Sequence, residues 1–333
     1  MRALITASFD PGALARLERH MSVVHEDWKT RHHIWFDGAE FAKHIAALGA
    51  DVLVVEADLV QAEVFDAVSL RLVGVCRAEP VNIDLEAATR HGVPVFHTPG
   101  RNADAVADLT LCFLLMLARR LPAIDAAYRG GVGRIDPTTD YLEVFNRFAG
   151  LELGGRTVGI VGYGAVGREV VARLRPFKAR ILVCDPYVDS VPADVARSDF
   201  ESLLRESDFV SLHAAVTPET QGMLDADKLA LMKPTAYLVN TARAALTDED
   251  AVYDALRAGR LAGAALDVLC DEPLQPGHRF LALPNVICTP HIAGATLDVV
   301  RHQSEIIVEA IERHLRGERP RWLANPAVYE ARS

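Results

Sequence analysis

Three side chains far apart in the 333-residue chain are of the types that acid–base chemistry on an anionic molecule needs: Arg243, Glu272 and His291. A histidine gives and takes a proton near neutral pH, a guanidinium grips a carboxylate, and a carboxylate orients a histidine and helps it hold its proton. Each follows an apolar run that reads as a strand. Leu238-Val239-Asn240-Thr241-Ala242 precedes Arg243, Leu266-Asp267-Val268-Leu269-Cys270-Asp271 precedes Glu272, and Val286-Ile287-Cys288-Thr289-Pro290 precedes His291. Strand ends of this kind form the edge on which open α/β sheets bind ligands. A lone loop arginine is usually solvated and a lone histidine is often structural, so it is the shared edge that gives the three their weight.

The same edge carries a phosphate-binding pattern, Gly162-Tyr163-Gly164-Ala165-Val166-Gly167, directly after the apolar run Val158–Val161 and directly before a helical stretch, Arg168–Leu174. The three glycines meet different needs. Gly162 permits the tight turn, Gly164 lets a pyrophosphate reach the backbone, and Gly167 lets helix and strand pack closely. The helix N-terminus then offers unpaired N–H groups to the phosphates. A second strand, Ile181–Cys184, ends on Asp185, about 20 residues past the glycines, where an acid grips a ribose 2′-hydroxyl and repels a 2′-phosphate. That favours NAD over NADP. With a dinucleotide beside a proton carrier and a carboxylate clamp, the implied chemistry is hydride transfer at a carbon that also exchanges a hydroxyl proton, as carbon 2 of a 2-hydroxy acid does.

Apolar strands alternating with helices position these residues. Leu4–Thr6, Val52–Val55, Leu72–Val75 and Val93–Phe96 read as strands, with helical spacing over Gly12–His20, Glu40–Ala47 and Leu85–His91. Asn102–Leu121 reads as one long helix ending near Pro122, and Gly130–Gly155 as a surface excursion. A second alternation follows, with strands at Val158–Val161, Ile181–Cys184, Phe209–Leu212, Ala236–Val239, Ala264–Val268 and Val286–Cys288, and a closing helix over Ala295–Arg316. Continuous apolar strands between helices predict parallel sheets covered on both faces. The glycine pattern opens near mid-chain, so the residues before it form another structural unit.

Composition narrows the function classes. A formal net charge of -10 argues against a general nucleic-acid binder. Half the residues are hydrophobic, enough for a sizeable core. The five scattered cysteines form no CxxC pair and read as reduced thiols rather than a metal site or disulfide framework. The N-terminus lacks a signal-peptide core, and the most apolar run, Leu109–Ala118, is too short to span a bilayer. The expectation is a soluble, cytoplasmic protein with no metal, nucleic-acid or membrane partner.

The stretches Asn240–Arg243, Leu266-Asp267-Val268 with Asp271-Glu272-Pro273, and Thr289-Pro290-His291-Ile292-Ala293-Gly294 resemble the D-isomer-specific 2-hydroxyacid dehydrogenases, a group that includes phosphoglycerate dehydrogenase and glyoxylate/hydroxypyruvate reductase. The resemblance runs from Asn82-Ile83-Asp84 to Asn325-Pro326. It implies two doubly wound parallel-sheet domains. A Rossmann NAD-binding domain (102–294) would be inserted in a flavodoxin-like substrate domain (1–101 and 295–333), with a hinged cleft between them and a homodimer using the long helix. It implies that Arg243 holds the substrate carboxylate and polarises the 2-oxo group, that His291 is the general acid/base, and that Glu272 pairs with it. Cofactor contacts would come from Gly162, Gly164, Ala165, Val166, Gly167, Asp185, Thr217, Thr241, Ala242, Arg243, Asp267, His291 and Gly294, with Asp267 on the nicotinamide carboxamide. The substrate loop would include Arg77, Ala78 and Glu79.

Two positions depart from the family pattern. Family members often carry a glycine-flanked carboxylate-binding loop where this chain reads Arg77-Ala78-Glu79-Pro80; Pro80 has no N–H and Glu79 adds a negative charge. Glu79 is therefore expected either to point away or to accept hydrogen bonds from substrate hydroxyls, as a sugar-derived acid would offer. Ala215 stands where a proline is usual, which should alter cofactor affinity rather than abolish activity. Arg77, Arg101, Arg134 and Arg147 are candidate anchors for a distal phosphate. The regulatory domain of many phosphoglycerate dehydrogenases is not expected after the closing helix. A formate dehydrogenase would have Gln in place of Glu272, whereas a phosphite dehydrogenase keeps all three reacting groups. The rival from another class is an NADH-sensing corepressor-type binding protein on the same scaffold.

Overall fold

The computed structural model describes residues 1–129 and 141–330. The chain divides into two compact units, Met1–Asn102 with Thr296–Ser333, and Ala103–Ala295.

In the first unit, β1 (Arg2–Ile5), β2 (Ser22–His25), β3 (Val52–Val55), β4 (Leu72–Val75) and β5 (Val95–His97) form a parallel sheet in the order β2-β1-β3-β4-β5. Successive side chains go to opposite faces. Leu4, Leu53, Val73 and Val95 pack with Phe41, Ile45 and Val64 on one side. Ile5, Val52, Val54 and Leu72 pack with Leu17, Ile307 and Ile311 on the other. Burial on both faces is why β3 and β4 read as unbroken apolar runs. Ile307 and Ile311 come from the helix Leu297–Leu315, so the C-terminal segment returns to this unit. It lies so close over β4 that a Cβ on Gly74 would sit 3.1 Å from Ile307.

In the second unit, β6 (Thr157–Val161), β7 (Arg180–Cys184), β8 (Val195–Arg197), β9 (Phe209–Leu212), β10 (Tyr237–Asn240), β11 (Gly263–Leu266) and β12 (Val286–Cys288) form a parallel sheet in the order β12-β11-β10-β9-β6-β7-β8. Phe113, Leu114 and Leu117 of the helix Ala103–Ala118 and Val170, Val171 and Leu174 of the helix Ala165–Leu174 cover one face. Leu203, Leu204, Val252 and Leu256 cover the other. Each such side chain, fully buried, contributes about 1.5–3 kcal/mol. The strand order runs outward from β6 in both directions, so a crevice opens at the C-terminal ends of β6 and β9.

The strands missed in the sequence are the edges β2 and β8. Both are short and partly exposed, so neither carries an apolar run. The short helices Trp28–Arg31 and Ala62–Ala67 were not expected either. The long helix ends at Ala118 rather than Leu121. Pro122, the residue that would donate to the Ala118 carbonyl in a continued helix, has no N–H. Leu151 N–H takes that carbonyl instead, at 2.7 Å, and Arg120 turns into the left-handed region at φ 55° to start a new helix, Leu121–Ala127. Within the expected excursion Gly130–Gly155, Tyr141–Phe148 is a helix, and residues 130–140, with Arg134, lie outside the described residues.

Part of the negative charge is structural. Asp10, Asp37, Asp84, Asp199, Asp225 and Asp248 each cap a helix by accepting from its first-turn N–H groups, a contribution of about 1 kcal/mol apiece. All five cysteines are free. Among the described residues no helix is long and apolar enough to cross a membrane.

Candidate active site

The glycine loop after β6 has the form its sequence demands. Gly162 sits at φ 94°, and a Cβ there would lie 2.6 Å from the carbonyl carbon of His213, at the end of β9. A Cβ on Gly167 would lie 2.2 Å from Gly162 O, so only glycine lets this helix approach the strand. A Cβ on Gly164 would meet nothing within 4 Å. Gly164 begins the helix Ala165–Leu174 with no side-chain cap. The N–H groups of Gly164, Ala165 and Val166 have no acceptor among the described residues. An open, uncapped helix N-terminus fits an anionic pyrophosphate. At the end of β7, Asp185 is held by Tyr163 N–H (2.7 Å) and Tyr187 N–H (2.9 Å), one to each carboxylate oxygen. Each oxygen keeps a lone pair for a further donor. Thr217, after β9, closes a turn with Thr220, whose hydroxyl accepts from Thr217 N–H at 2.7 Å.

His213 was not singled out in the sequence. It follows β9 and shares a hydrogen bond of 2.8 Å between Nε2 and Ser211 Oγ, while Nδ1 is buried without a partner among the described residues. Burial pushes this imidazole down to about 3, so it stays neutral beside the glycine loop. No spacing rule marks it, because its state depends on burial.

The three candidate residues Arg243, Glu272 and His291 lie in the segments that follow β10, β11 and β12. Asn240, buried at the end of β10, clamps the next turn: its Oδ1 accepts from Ala242 N–H and its Nδ2 donates to Arg243 O, each at 3.0 Å. Thr241, also buried, hydrogen-bonds Thr110 Oγ1 at 3.0 Å. The Arg243 side chain is exposed and donates through Nη1 to Ala242 O at 2.7 Å, leaving its other N–H groups unpaired among the described residues.

Asp267 is 1% exposed. Its Oδ1 accepts from Thr289 Oγ1 (2.6 Å) and Ile292 N–H (2.9 Å), and its Oδ2 from Ala293 N–H (2.9 Å). His291 N–H donates to the Asp267 carbonyl at 2.8 Å. These bonds hold His291 at φ 54°, a left-handed conformation that costs a non-glycine residue about 1–2 kcal/mol. Gly294 follows in the same loop, where Ala295 N–H bonds Ile292 O at 2.8 Å. His291 Nδ1 donates to Glu272 Oε2 at 2.8 Å, with side chains 48% and 34% exposed. Glu272 Oε1 accepts from Leu269 N–H at 3.0 Å. Burial alone would push the Glu272 carboxyl up. The His291 hydrogen bond, the Leu269 N–H and the positive charges of His291 and Arg243 outweigh it, and the carboxyl lies below its ordinary range. Nδ1 is therefore the anchored nitrogen, and Nε2 is free to exchange a proton.

In the first unit, the N–H groups of Arg77, Ala78 and Glu79, just after β4, have no acceptor among the described residues. His97 Nδ1 donates to Ala78 O at 2.7 Å. Ala78 and Glu79 are exposed, and the Glu79 carboxylate has no partner among the described residues. Of the arginines considered as phosphate anchors, Arg101 is committed to Glu56, and Arg147 lies over the Phe148 ring.

Residues 111–293 match the family described as D-isomer specific 2-hydroxyacid dehydrogenase, NAD binding domain. A glyoxylate reductase of Thermofilum pendens is 37% identical over 281 residues, 83% of this chain and 81% of that one. A D-3-phosphoglycerate dehydrogenase of Methanocaldococcus jannaschii is 37% identical over 278 residues, 81% of this chain and 50% of that one. The solved structure of TT0316 protein from Thermus thermophilus is 38% identical with a TM-score of 0.78, covering 97% of this chain and all of that one, at 100%.

Proposed function

Because the chain belongs to the D-isomer specific 2-hydroxyacid dehydrogenase family, we propose that it interconverts a small D-2-hydroxy acid and its 2-keto acid with Arg243, Glu272 and His291 as the working groups. The observation that carries this reading is the His291 Nδ1–Glu272 bond of 2.8 Å, which leaves Nε2 unpaired on the sheet edge that also bears the open glycine loop. Bound nicotinamide dinucleotide supplies or accepts the hydride. Gly162, Gly164, Ala165, Val166 and Gly167 would receive its pyrophosphate, and Asp185 a ribose hydroxyl, which favours NAD over NADP. Thr217, Thr241, Ala242 and Gly294 would complete its binding surface. Asp267 Oδ2, which accepts a single hydrogen bond, keeps capacity for a carboxamide N–H.

In reduction, His291 gives the Nε2 proton to the carbonyl oxygen; in oxidation, it takes that proton back. Glu272 holds the imidazole through Nδ1 and stabilises its charged form. Arg243 keeps enough N–H donors to bind a carboxylate and the adjacent 2-oxo oxygen together. Arg77, Ala78 and Glu79 would offer backbone N–H groups to the substrate acid. A homodimer is part of the proposal: Leu121, Tyr128, Leu142 and Phe145 are 48%, 48%, 73% and 63% exposed, apolar surface that a second copy would cover.

The deciding experiment is turnover of NADH with glyoxylate, hydroxypyruvate and longer 2-keto acids by wild type, His291→Ala and Arg243→Ala. Wild type should turn over at least one acid. His291→Ala should lose roughly 10²–10⁴-fold in rate, and Arg243→Ala should lose turnover, while both still bind NADH. Tight NADH binding without turnover of any acid would favour the sensor, and near-normal turnover by His291→Ala would end the proposed mechanism.

A further inference from the structure

The C-terminal edge of the first unit's sheet holds a half-buried ion pair beside the loop Arg77–Glu79. Glu56 directly follows β3, and its side chain is 13% exposed; Arg101, beyond β5, is 21% exposed. Glu56 Oε1 accepts from Arg101 Nη1 at 3.2 Å. Glu56 Oε2 accepts from Trp28 Nε1 at 3.1 Å and from Ser8 N–H at 3.3 Å. Gln303, wholly buried, accepts from the same Arg101 Nη1 and donates to Ser8 O at 2.8 Å. The pair adjoins the loop: Cys76 N–H bonds Val55 O at 2.8 Å, which sets Glu56 and Cys76 on neighbouring strand ends immediately before Arg77.

The formal charges of Arg77, Glu79, Arg101 and Glu56 on this edge sum to zero. The Arg101 charge is matched by Glu56, and the Arg77 charge stands two residues from that of Glu79. Yet the edge keeps hydrogen-bonding capacity: Arg101 Nε and Nη2, and the Glu79 carboxylate, have no partner among the described residues. A phosphate or second carboxylate would find no net positive charge on this edge, where Glu56 and Glu79 balance Arg101 and Arg77. Neutral hydroxyls would find both donors and acceptors.

We propose that Glu56, by pairing with Arg101, makes the enzyme selective for 2-keto acids whose tail carries uncharged hydroxyl groups, and that it excludes phosphorylated tails. This deepens the function proposed above and rests on its reading that the loop Arg77–Glu79 receives the substrate acid. Phosphohydroxypyruvate and hydroxypyruvate differ only in the charged group, so their ratio of kcat/KM reads the effect directly. Wild type should favour hydroxypyruvate at least about tenfold, the scale of one uncompensated charge in a partly buried site. Glu56→Gln keeps the shape and frees the Arg101 charge; it should move the ratio about tenfold or more toward the phosphorylated acid. A wild-type ratio at or above unity overturns the proposal, as does an unchanged ratio in Glu56→Gln with a wild-type melting profile. If that variant fails to fold, the wild-type ratio decides alone. Glyoxylate has no tail and separates the two levels: failure with glyoxylate and every other acid sinks the proposed function itself, whereas turnover of glyoxylate with a wild-type preference for the phosphorylated acid sinks only the role of Glu56.

Discussion

Two glycines three residues apart should respond differently to the same substitution. At Gly167 the new methyl would lie 2.2 Å from Gly162 O and 3.1 Å from Gly162 C, both backbone atoms that cannot swing aside. Overpacking of this kind costs about 1–3 kcal/mol, and each kcal/mol lowers the melting temperature of a unit of this size by roughly 2–4 °C. At Gly164, with φ -74°, alanine is unstrained and meets nothing within 4 Å, so stability should stay within about 0.5 kcal/mol. The Gly164 methyl would nevertheless fill open space on the loop that carries the unpaired N–H groups of Ala165 and Val166. NADH affinity should fall at least about tenfold, or ~1.4 kcal/mol. The assay pairs thermal melts with fluorescence titration of NADH. Gly167→Ala should lose both melting temperature and affinity, and Gly164→Ala affinity alone. Wild-type NADH affinity in Gly164→Ala would show that the phosphates do not cross this loop, and an unmoved melt in Gly167→Ala would refute the steric argument.

Further outcomes follow from the proposed trio and from the loop that carries His291. Because the Glu272 carboxyl lies below its ordinary range, it stays ionised beside His291 as the pH falls through that range, and keto-acid reduction should persist into mild acid. Glu272→Gln replaces the charged acceptor of His291 Nδ1 with a neutral one, so the pH–rate profile should change; a profile left in place counts against the pairing. Asp267→Ala strips the acceptor from Thr289 Oγ1, Ile292 N–H and Ala293 N–H, and at about 1–3 kcal/mol per unsatisfied buried donor the melting temperature should fall by several degrees. A melt matching wild type would show that the loop is held by other means.

Much of this was legible in the sequence where one signal sufficed. β3, β4 and β12 were placed to the residue because an apolar run bounded by turn residues is a local signal. The glycine loop was legible because backbone geometry alone restricts those positions. The trio could be assigned to one edge because parallel topology brings all C-terminal strand ends together. What stayed hidden depends on packing. β2 and β8 lean on a neighbour for their pairing, and the helix break at Ala118 depends on Leu151. The roles of Asp267 and Arg101 could not be weighed either: Asp267 was expected as a cofactor contact, but three of its hydrogen bonds go to the chain itself. Arg101 was considered as a phosphate anchor, but its charge is answered by Glu56, far away along the chain.

The bond from Leu151 N–H to Ala118 O has a bearing on how the molecule can vary. It staples the two ends of everything that intervenes, and Gly150 lets them meet, since a Cβ there would fall 2.5 Å from the same oxygen. The second unit's sheet resumes at β6 from a point anchored on the end of the helix Ala103–Ala118. A bulkier residue at Gly150 would push that anchor apart, and with it the point from which the strand enters the sheet.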